Sequence, residues 1–311
     1  MKTGKKIYDC IIIGGGPSGL TCAIYLARFQ RSVAVIDNGK YRNHASRGVH
    51  GYLGYDGIKP ARLIKLALKE ASYYGVEIIK GTAKKFDKIK EHWEVRTTEN
   101  KKFRSEKIVL AYGVRDILPA IRGFKKYYGK YIFHCPVCDG YEVRRKTVGI
   151  IGEIAKVESL AYELQQWADQ IIIFTNGSKE GSDTRPCSRL KKHGIEVNEE
   201  KLKSFNVKNN TDRYVITYSG NIISVDYLFF SIEVCNSCSL AEDIDCSMND
   251  TNNNILTNRK FETSLKGVFA IGDLVEGPQL VVKACASGAV AAIEINRQIL
   301  KQELAQKSSR K

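Results

Sequence analysis

The sequence predicts an α/β protein made of two Rossmann-like three-layer domains. Two β-α-β patterns indicate this fold, one at the N-terminus and one near the middle of the chain. A third observation is the length of 311 residues, which suits about two domains with substantial cores.

The first pattern contains a glycine-rich turn. A short apolar strand at residues 8–13 runs into Gly14-Gly15-Gly16-Pro17-Ser18-Gly19, and a helical pattern follows over residues 20–29. Gly14 allows the tight turn, Gly16 lets the backbone approach a pyrophosphate, and Gly19 lets helix and strand pack closely. The helix N-terminus adds N–H donors and the positive end of the helix dipole.

An acidic residue completes this pattern. The second strand, residues 32–36, ends at Asp37, 18 residues after Gly19. A carboxylate at about this distance binds the ribose hydroxyls of a dinucleotide. The turn, the two strands and the acid together predict a dinucleotide site.

The middle of the chain repeats the unit. A strand at 147–151, a helix at 156–167 and a strand at 170–174 form the second pattern, and residues 113–119 lead into it. An asparagine-rich turn at 249–254 marks the return. The remaining expected elements are a loop at 41–57, a helix at 59–75, strands at 76–81, 86–96, 103–110, within 197–231 and at 267–271, a helix at 280–300 and a disordered tail at 306–311.

A Cys-x-x-Cys motif opens the second pattern. Cys135 and Cys138 are close enough in sequence to form a small disulfide, and Asp139 follows directly. Thiols in such motifs tend to have lowered pKa values, and the thiolate is the attacking species in exchange. Asp139 is placed to exchange protons with a departing thiolate. A structural disulfide or half of a zinc site are the alternatives that the motif alone leaves open.

The composition indicates in which cellular compartment the protein works. Nine cysteines in a chain of this length are too few for a disulfide-stapled secreted scaffold. The N-terminal lysines and apolar run imitate a signal peptide, but Asp9 and three glycines interrupt the run, so it is interpreted as the first strand. No apolar stretch reaches the roughly 18 residues of a membrane span. We expect a soluble, cytoplasmic protein without a membrane partner.

The net charge of +15 is unevenly distributed. Residues 117–245 contain 17 basic and 17 acidic side chains, so the excess lies in the flanking segments, partly at 84–107. Such a face could attract an acidic protein, an anionic substrate or nucleic acid. No nucleic-acid motif accompanies it, so a solvated lysine-rich surface without a nucleic-acid partner is favoured.

Three motifs in order carry a family resemblance. The glycine turn, Cys135-x-x-Cys138-Asp139-Gly140 and a late Gly267-Val-Phe-Ala-Ile-Gly272-Asp273 together resemble the thioredoxin-reductase-like FAD flavoproteins, the class II pyridine nucleotide–disulfide oxidoreductases. The resemblance implies a discontinuous FAD-binding domain, residues 1–116 plus 246–311. It implies that residues 117–245 form an inserted domain with the redox cysteines and a nicotinamide-type site, and that the protein is a homodimer.

The same resemblance assigns cofactor residues. It implies that Asp37 binds the adenosine ribose, that Asp273 holds the ribityl chain or a nearby phosphate, and that the start of the last helix faces the flavin ring. Taken alone, Asp273 is better explained as a helix-capping or turn residue. The implied FAD site comprises Gly14, Gly16, Pro17, Ser18, Gly19, Asp37, Arg42, Asn43, Gly113, Gly272, Asp273, Leu280 and Val281.

The nicotinamide site departs from the family. The expected Gly-x-Gly-x-x-Ala is replaced by Gly152-Glu153-Ile154-Ala155-Lys156-Val157, and residues 174–177 lack the basic cluster that reads the NADPH phosphate. Ile154 is expected to obstruct the approach of a pyrophosphate, and Glu153 adds negative charge. Binding of NADP(H) is therefore doubtful.

A subgroup matches more features. The dithiol oxidases of the gliotoxin and holomycin type resemble this chain in the Arg42-Asn43 loop, residues 113–119, His134 and residues 174–177. Such enzymes close a disulfide in a small dithiol and pass its electrons through the enzyme disulfide and FAD to oxygen. His134 or His50 is the candidate base for the substrate thiol, because imidazole titrates near neutral pH. A simply hydrogen-bonded histidine is the alternative for each.

Three functions remain open. The first is a dithiol oxidase in which Cys135 and Cys138 cycle between dithiol and disulfide, with Cys138 facing the flavin as the resemblance implies. The second is a reductase of a small disulfide or a thioredoxin-like protein, fed by NAD(P)H or ferredoxin. The third is a non-enzymatic flavin redox sensor.

Two further features have no assigned role. Cys235 and Cys238 form a second Cys-x-x-Cys motif. A zinc site made from both pairs is disfavoured by their separation of about 100 residues and by the role of the first pair, so no metal site is predicted. Small residues in a loop are favoured over a second redox pair. Tyr112 replaces the threonine that the family often has beside the flavin.

Overall fold

The computed structural model describes residues 6–178, 185–209 and 211–309. The helices and strands, in chain order, are β1 (Ile7–Ile13), α1 (Pro17–Arg28), β2 (Val33–Asp37), α2 (Pro60–Tyr73), β3 (Glu77–Lys80), β4 (Ala83–Ile89), β5 (His92–Thr97), β6 (Lys102–Leu110), β7 (Val114–Ile117), α3 (Phe124–Tyr127), β8 (Ile132–Phe133), α4 (Pro136–Asp139), β9 (Thr147–Ile151), α5 (Ile154–Leu164), β10 (Gln170–Phe174), α6 (Arg185–Lys192), β11 (Glu196–Asn198), β12 (Leu202–Lys208), β13 (Asp212–Thr217), β14 (Ile222–Ser224), β15 (Tyr227–Phe230), β16 (Glu233–Asn236), β17 (Val268–Ala270) and α7 (Val281–Ser308).

The chain divides into two compact units, named here unit 1 and unit 2. Unit 1 comprises residues 1–44, 58–115 and 235–311, and unit 2 comprises residues 45–57 and 116–234. The sequence-based boundaries of the inserted domain, residues 117–245, stay a prediction. Among the described residues, no helix combines the length and the apolar character needed to cross a bilayer.

Unit 1 is built on a mixed sheet. Its strand order is β3-β2-β1-β6-β5-β4, with β17 paired to β6. The pairs β1–β2, β1–β6, β2–β3 and β6–β17 are parallel, whereas β4, β5 and β6 pair antiparallel. Side chains of α1 and α7 pack against β1 and β2 in one apolar core, which holds the N-terminus of α1 at the carboxyl end of β1.

Unit 2 has three layers. Its parallel sheet has the order β11-β10-β9-β15-β8, and β12, β13 and β14 form a second, antiparallel sheet. One core lies between α5 and the parallel sheet, and another lies between the two sheets. The predicted class, α/β with two Rossmann-like domains, is confirmed.

Some predicted elements are wrong in detail. Residues 86–96 form a hairpin rather than one strand, because the chain turns at Lys90, whose φ is +56°. The predicted disordered tail at 306–311 is wrong where the structure describes it, since α7 continues to Ser308. Residues 310 and 311 lie outside the described residues. Helix α6 is not predicted from the sequence.

Candidate dinucleotide and dithiol sites

The glycine turn of unit 1 is fixed by close backbone contacts. Gly14 has a φ of +110°, and a Cβ there would lie 2.3 Å from the carbonyl oxygen of Ala111. A Cβ at Gly19 would lie 2.0 Å from the carbonyl oxygen of Gly14. Neither position can carry a side chain without moving backbone, so α1 can approach β1 this closely only with glycines.

The N-terminus of α1 is suited to an anion. Gly16 caps the helix with extended backbone, and Pro17 is the first residue of the helix. Proline lacks a backbone N–H, and at this position the N–H of any residue would have no partner within the helix, so no hydrogen bond is lost. No atom of the described chain comes within 4 Å of a Cβ built on Gly16. A pyrophosphate can therefore approach the N–H groups of the first turn.

Asp37 is held at the end of β2. Its Oδ1 accepts a hydrogen bond from the Gly15 N–H at 2.9 Å. Its Oδ2 accepts from the Gly39 N–H at 3.2 Å and from the Tyr41 hydroxyl at 2.6 Å. Burial and this hydrogen bond raise the pKa of Tyr41, so its hydroxyl stays a donor. A carboxylate offers about four acceptor positions, so capacity for a ribose hydroxyl remains.

Arg42 connects distant segments of unit 1. Its Nη1 donates to Asp273 Oδ2 at 3.1 Å and to Gln279 Oε1 at 2.6 Å. The Arg42 and Asp273 side chains are 15% and 21% exposed, so this ion pair is only partly screened by water. Asn43 lies beside Arg42 in the same 3₁₀ turn. Burial lowers the pKa of Lys283, which donates to the Gly272 carbonyl at 3.1 Å.

The start of α7 joins this cluster. Leu280 caps the helix and Val281 is its first residue. The Gly272 N–H donates to the Ser287 hydroxyl at 3.0 Å, and a Cβ on Gly272 would lie 2.6 Å from the hydroxyl of Ser18.

Gly113 completes the predicted cofactor set. It has a φ of +64°, and its carbonyl accepts from Ser237 N–H at 3.0 Å. A dinucleotide fits three features of unit 1. These are the open space at Gly16, the carboxylate acceptor of Asp37 and the hydrogen-bonded group of Arg42, Asp273 and Gln279. Their individual roles stay predictions.

The dithiol site in unit 2 is a disulfide at a helix start. Cys135 and Cys138 are bonded, with Cα atoms 5.3 Å apart. Cys135 caps α4, and the Cys138 N–H donates to the Cys135 Sγ at 3.1 Å. This donor stabilises negative charge on Cys135 after reduction. A Cβ on Gly140 would lie 2.6 Å from the ring of Trp167, which explains the glycine after Asp139.

Asp139 has an unusual protonation equilibrium. Burial raises the pKa of its carboxyl to about 7, the Glu142 carboxylate adds to the rise, and His50 opposes it. Near neutral pH the carboxyl therefore exists in both protonation states, which suits a general acid and base.

His134 ends a chain of three polar side chains. The Tyr128 hydroxyl donates to Asp116 Oδ2 at 2.5 Å and lies 2.9 Å from His134 Nδ1. Since the phenol proton goes to the carboxylate, the neutral imidazole carries its proton on Nδ1 and donates it to the Tyr128 oxygen. In that tautomer Nε2 is the basic nitrogen of the ring. Sequence analysis missed Tyr128 and Asp116.

His50 lies between two carboxylates of unit 2. Its Nδ1 is 3.5 Å from Asp56 Oδ2 and its Nε2 is 3.8 Å from Glu142 Oε1. The hydrogen bond from the Gly51 N–H, more than His50, lowers the pKa of Asp56. His50 also lowers the pKa of Asp139 electrostatically, and its role as a base stays a prediction.

The nicotinamide-type turn differs from the prediction. Ile154 is the first residue of α5, and its side chain is 5% exposed and packs in the core between α5 and the parallel sheet. The predicted obstruction by Ile154 is therefore wrong, because the side chain points inward. Glu153 caps α5 and is exposed, with Lys156 Nζ at 3.4 Å. The negative charge at this helix start still disfavours a phosphate.

Together these features define a nucleotide-binding thiol–disulfide oxidoreductase. Residues 8–288 match the pyridine nucleotide-disulphide oxidoreductase family, and the chain belongs to that family. The predicted resemblance is confirmed. The protein is an enzyme of the thioredoxin-reductase-like type, and FAD is its cofactor.

Relatives span the chain at low identity. The thioredoxin reductase sirT of Leptosphaeria maculans is 26% identical over 324 residues, 99% of this chain and 99% of that protein. A probable thioredoxin reductase of Arthroderma benhamiae is 36% identical over 211 residues, 65% of this chain, and the match spans about half (51%) of that relative. The solved structure of HlmI is 30% identical, with a TM-score of 0.92, over 97% of this chain and 96% of that one.

We predict that Arg42→Ala weakens FAD binding about tenfold, because loss of charge-assisted hydrogen bonds to Asp273 and Gln279 costs on the order of 1.4 kcal/mol. Titration of the apoprotein with FAD, followed by flavin fluorescence, measures this. The control is His44→Ala, an exposed residue of the same turn. Equal FAD affinity of Arg42→Ala and wild type would contradict the role of this cluster.

We predict that Asp139→Asn changes the pH dependence of stability. Folding raises this pKa, so the carboxyl's contribution is present below an unfolded-state pKa of about 4 and is lost as pH rises through about 7. The variant should match wild type near pH ~4 and be more stable above pH ~7. Urea unfolding at each pH measures the free energy difference.

The control for this series is Asp250→Asn, at an exposed aspartate. Its difference from wild type at each pH is the baseline for the Asp139→Asn series. The interpretation of Asp139 fails if its variant behaves in the same way.

Proposed function

We propose that the protein is an FAD-dependent dithiol oxidase, which closes a disulfide in a small dithiol with oxygen as the final electron acceptor. The observation that carries this proposal is the Asp116–Tyr128–His134 chain, because it presents an oriented base directly before Cys135 in sequence. A substrate dithiol must lose protons before it can attack the enzyme disulfide, and a histidine base serves that need.

The reaction of the chain's own groups proceeds in two exchanges. His134 Nε2 takes the proton of one substrate thiol, and the thiolate attacks Cys135, breaking its bond to Cys138. The Cys138 thiolate leaves and takes a proton from Asp139. The second substrate thiol gives its proton to the Asp139 carboxylate and attacks the substrate sulfur of the mixed disulfide. Cys135 leaves as a thiolate and takes the proton held by His134. The substrate leaves as a disulfide, and the enzyme holds two electrons as a dithiol.

The predicted cofactor residues of unit 1 serve the second half of the cycle. When bound, FAD would supply two-electron acceptance from the dithiol and electron transfer to oxygen. The glycine turn, with Pro17 and Ser18, would hold its pyrophosphate and Asp37 its ribose. Arg42 and Asp273 would fix the segment that leads to the start of α7.

A reductase is the second candidate. It would reduce a small disulfide or a thioredoxin-like protein with electrons from NAD(P)H or ferredoxin. The relatives named thioredoxin reductase favour it, whereas the exposed Glu153 at the start of α5 disfavours phosphate binding. A flavin redox sensor is the third. Homodimerisation and a cytoplasmic location remain predictions.

An anaerobic reduction experiment tests the proposal. We expect a small dithiol to bleach the flavin absorbance and admission of air to restore it, while NADPH and NADH bleach it slowly. Cys135→Ser should abolish bleaching by the dithiol, because the first exchange needs that sulfur. Rapid bleaching by NADPH would support the reductase instead. If the dithiol, NADPH and NADH all fail to bleach the flavin, in wild type and variant alike, the redox-sensor function would be the one that remains.

We predict that Tyr128→Phe lowers kcat for dithiol oxidation about tenfold, a typical part of general-base catalysis. The variant keeps the ring but loses both hydrogen bonds of the hydroxyl, so His134 loses its fixed tautomer. The pH profile of kcat/KM should shift while the KM for the dithiol stays constant. The matched control is Tyr127→Phe, the preceding tyrosine. An unchanged pH profile of kcat/KM would show that Tyr128 contributes packing only and does not position His134.

A further inference from the structure

A second thiol pair lies in unit 1, outside the dithiol chemistry described above. Cys235 is on β16 and Cys238 follows two positions after its end. Neither is in a disulfide. The proposed oxidase reaction uses neither sulfur.

Cys235 has a cationic hydrogen-bond donor. The Nε–H of Arg115 donates to the Cys235 Sγ at 2.9 Å. Arg115 is exposed and Cys235 is half-buried. A guanidinium that bonds directly to sulfur stabilises a thiolate, the attacking form in disulfide exchange.

Cys238 has the opposite surroundings. Burial raises the pKa of its thiol to about 11, and the Glu242 and Asp243 carboxylates add to the rise. The backbone N–H of Leu240 opposes it, and Tyr112 also interacts electrostatically with this thiol. Two cysteines at disulfide-forming spacing thus differ in charge environment, as an attacking and a resolving thiol do.

The loop between the two cysteines is tethered within unit 1. Asn236 Nδ2 donates to Glu242 Oε1 at 3.1 Å and to the Asn253 carbonyl at 3.1 Å. The Ser237 N–H donates to the Gly113 carbonyl at 3.0 Å. These contacts keep the two thiols in a defined segment rather than on a loose loop.

We propose that Cys235 and Cys238 form a second thiol–disulfide exchange site, in which Cys235 attacks small-molecule disulfides and Cys238 resolves the product. The Cys235 thiolate attacks one sulfur of a disulfide RSSR, whose S–S bond breaks, and RS⁻ leaves and takes a proton from water. Cys238 then loses its proton to solvent and attacks Cys235. The second RS⁻ leaves, and the pair is oxidised while RSSR is reduced to two thiols. This site is independent of the proposed oxidase function.

Glutathione disulfide is the probe for this site. The holoprotein with Cys135→Ser and Cys138→Ser serves as the parent, so that the first pair cannot compete. Peptide mass spectrometry follows which cysteine gains glutathione over time. We expect Cys235 to react first and a Cys235–Cys238 disulfide to follow, whereas addition of Cys238→Ser makes the mixed disulfide at Cys235 accumulate.

Arginine variants test the activating contact. Arg115→Gln should slow modification of Cys235 about tenfold, since it removes the cation, and Arg115→Lys should recover part of the rate. Arg259→Gln, at an exposed arginine of the same unit, should have no effect. The flavin absorbance spectrum of each variant verifies that it is folded.

Three results would overturn the proposal. One is modification of Cys187 or Cys285 at least as fast as that of Cys235. Another is an unchanged rate in folded Arg115→Gln. The third is a parent protein in which the adduct at Cys235 never gives way to a Cys235–Cys238 disulfide. None of these depends on oxidase activity.

Discussion

Unit 1 depends on the contact between the backbones at Gly14 and Gly19. A Cβ at Gly19 would lie 2.0 Å from the Gly14 carbonyl oxygen, so α1 approaches the end of β1 too closely for any residue but glycine at this position. The contact sets the depth of α1 on the sheet and turns the helix start toward the carboxyl end of β1. Ser18 is carried to Gly272 by the same placement. The anion-binding helix start therefore follows from packing, before any charged side chain contributes.

Unit 2 controls protons by two different physical means. Asp139 is adjusted mainly by burial, which penalises its charged form and is reinforced by Glu142. His134 is adjusted by orientation, because Tyr128 fixes which nitrogen carries the proton. Asp139 is thus suited to giving a proton, and in the proposed reaction His134 takes one. A dithiol reaction that proceeds by two exchanges needs both functions.

Much of the fold and of the candidate sites could be predicted from short sequence motifs. Contacts between residues distant in sequence could not be predicted. The glycine turn and the cysteine pair are readable because each is a short motif whose chemistry depends on neighbours in sequence. The Asp116–Tyr128–His134 chain could not be predicted from the sequence. Asp116 precedes His134 by 18 residues and is connected to it only through Tyr128. Ile154 illustrates the opposite error, because the sequence places it in the motif whereas the direction of its side chain depends on the core that receives it.

In each of the two thiol pairs, one cysteine sulfur accepts a hydrogen bond that stabilises its thiolate, but the donors differ. A reduced Cys135 can use the backbone N–H of Cys138, a neutral donor whose strength does not change with ionic strength. Cys235 uses the guanidinium of exposed Arg115, a full charge that salt screens and that mobile anions can compete for. Salt sensitivity therefore separates the contact at Cys235 physically from the backbone contact at Cys135.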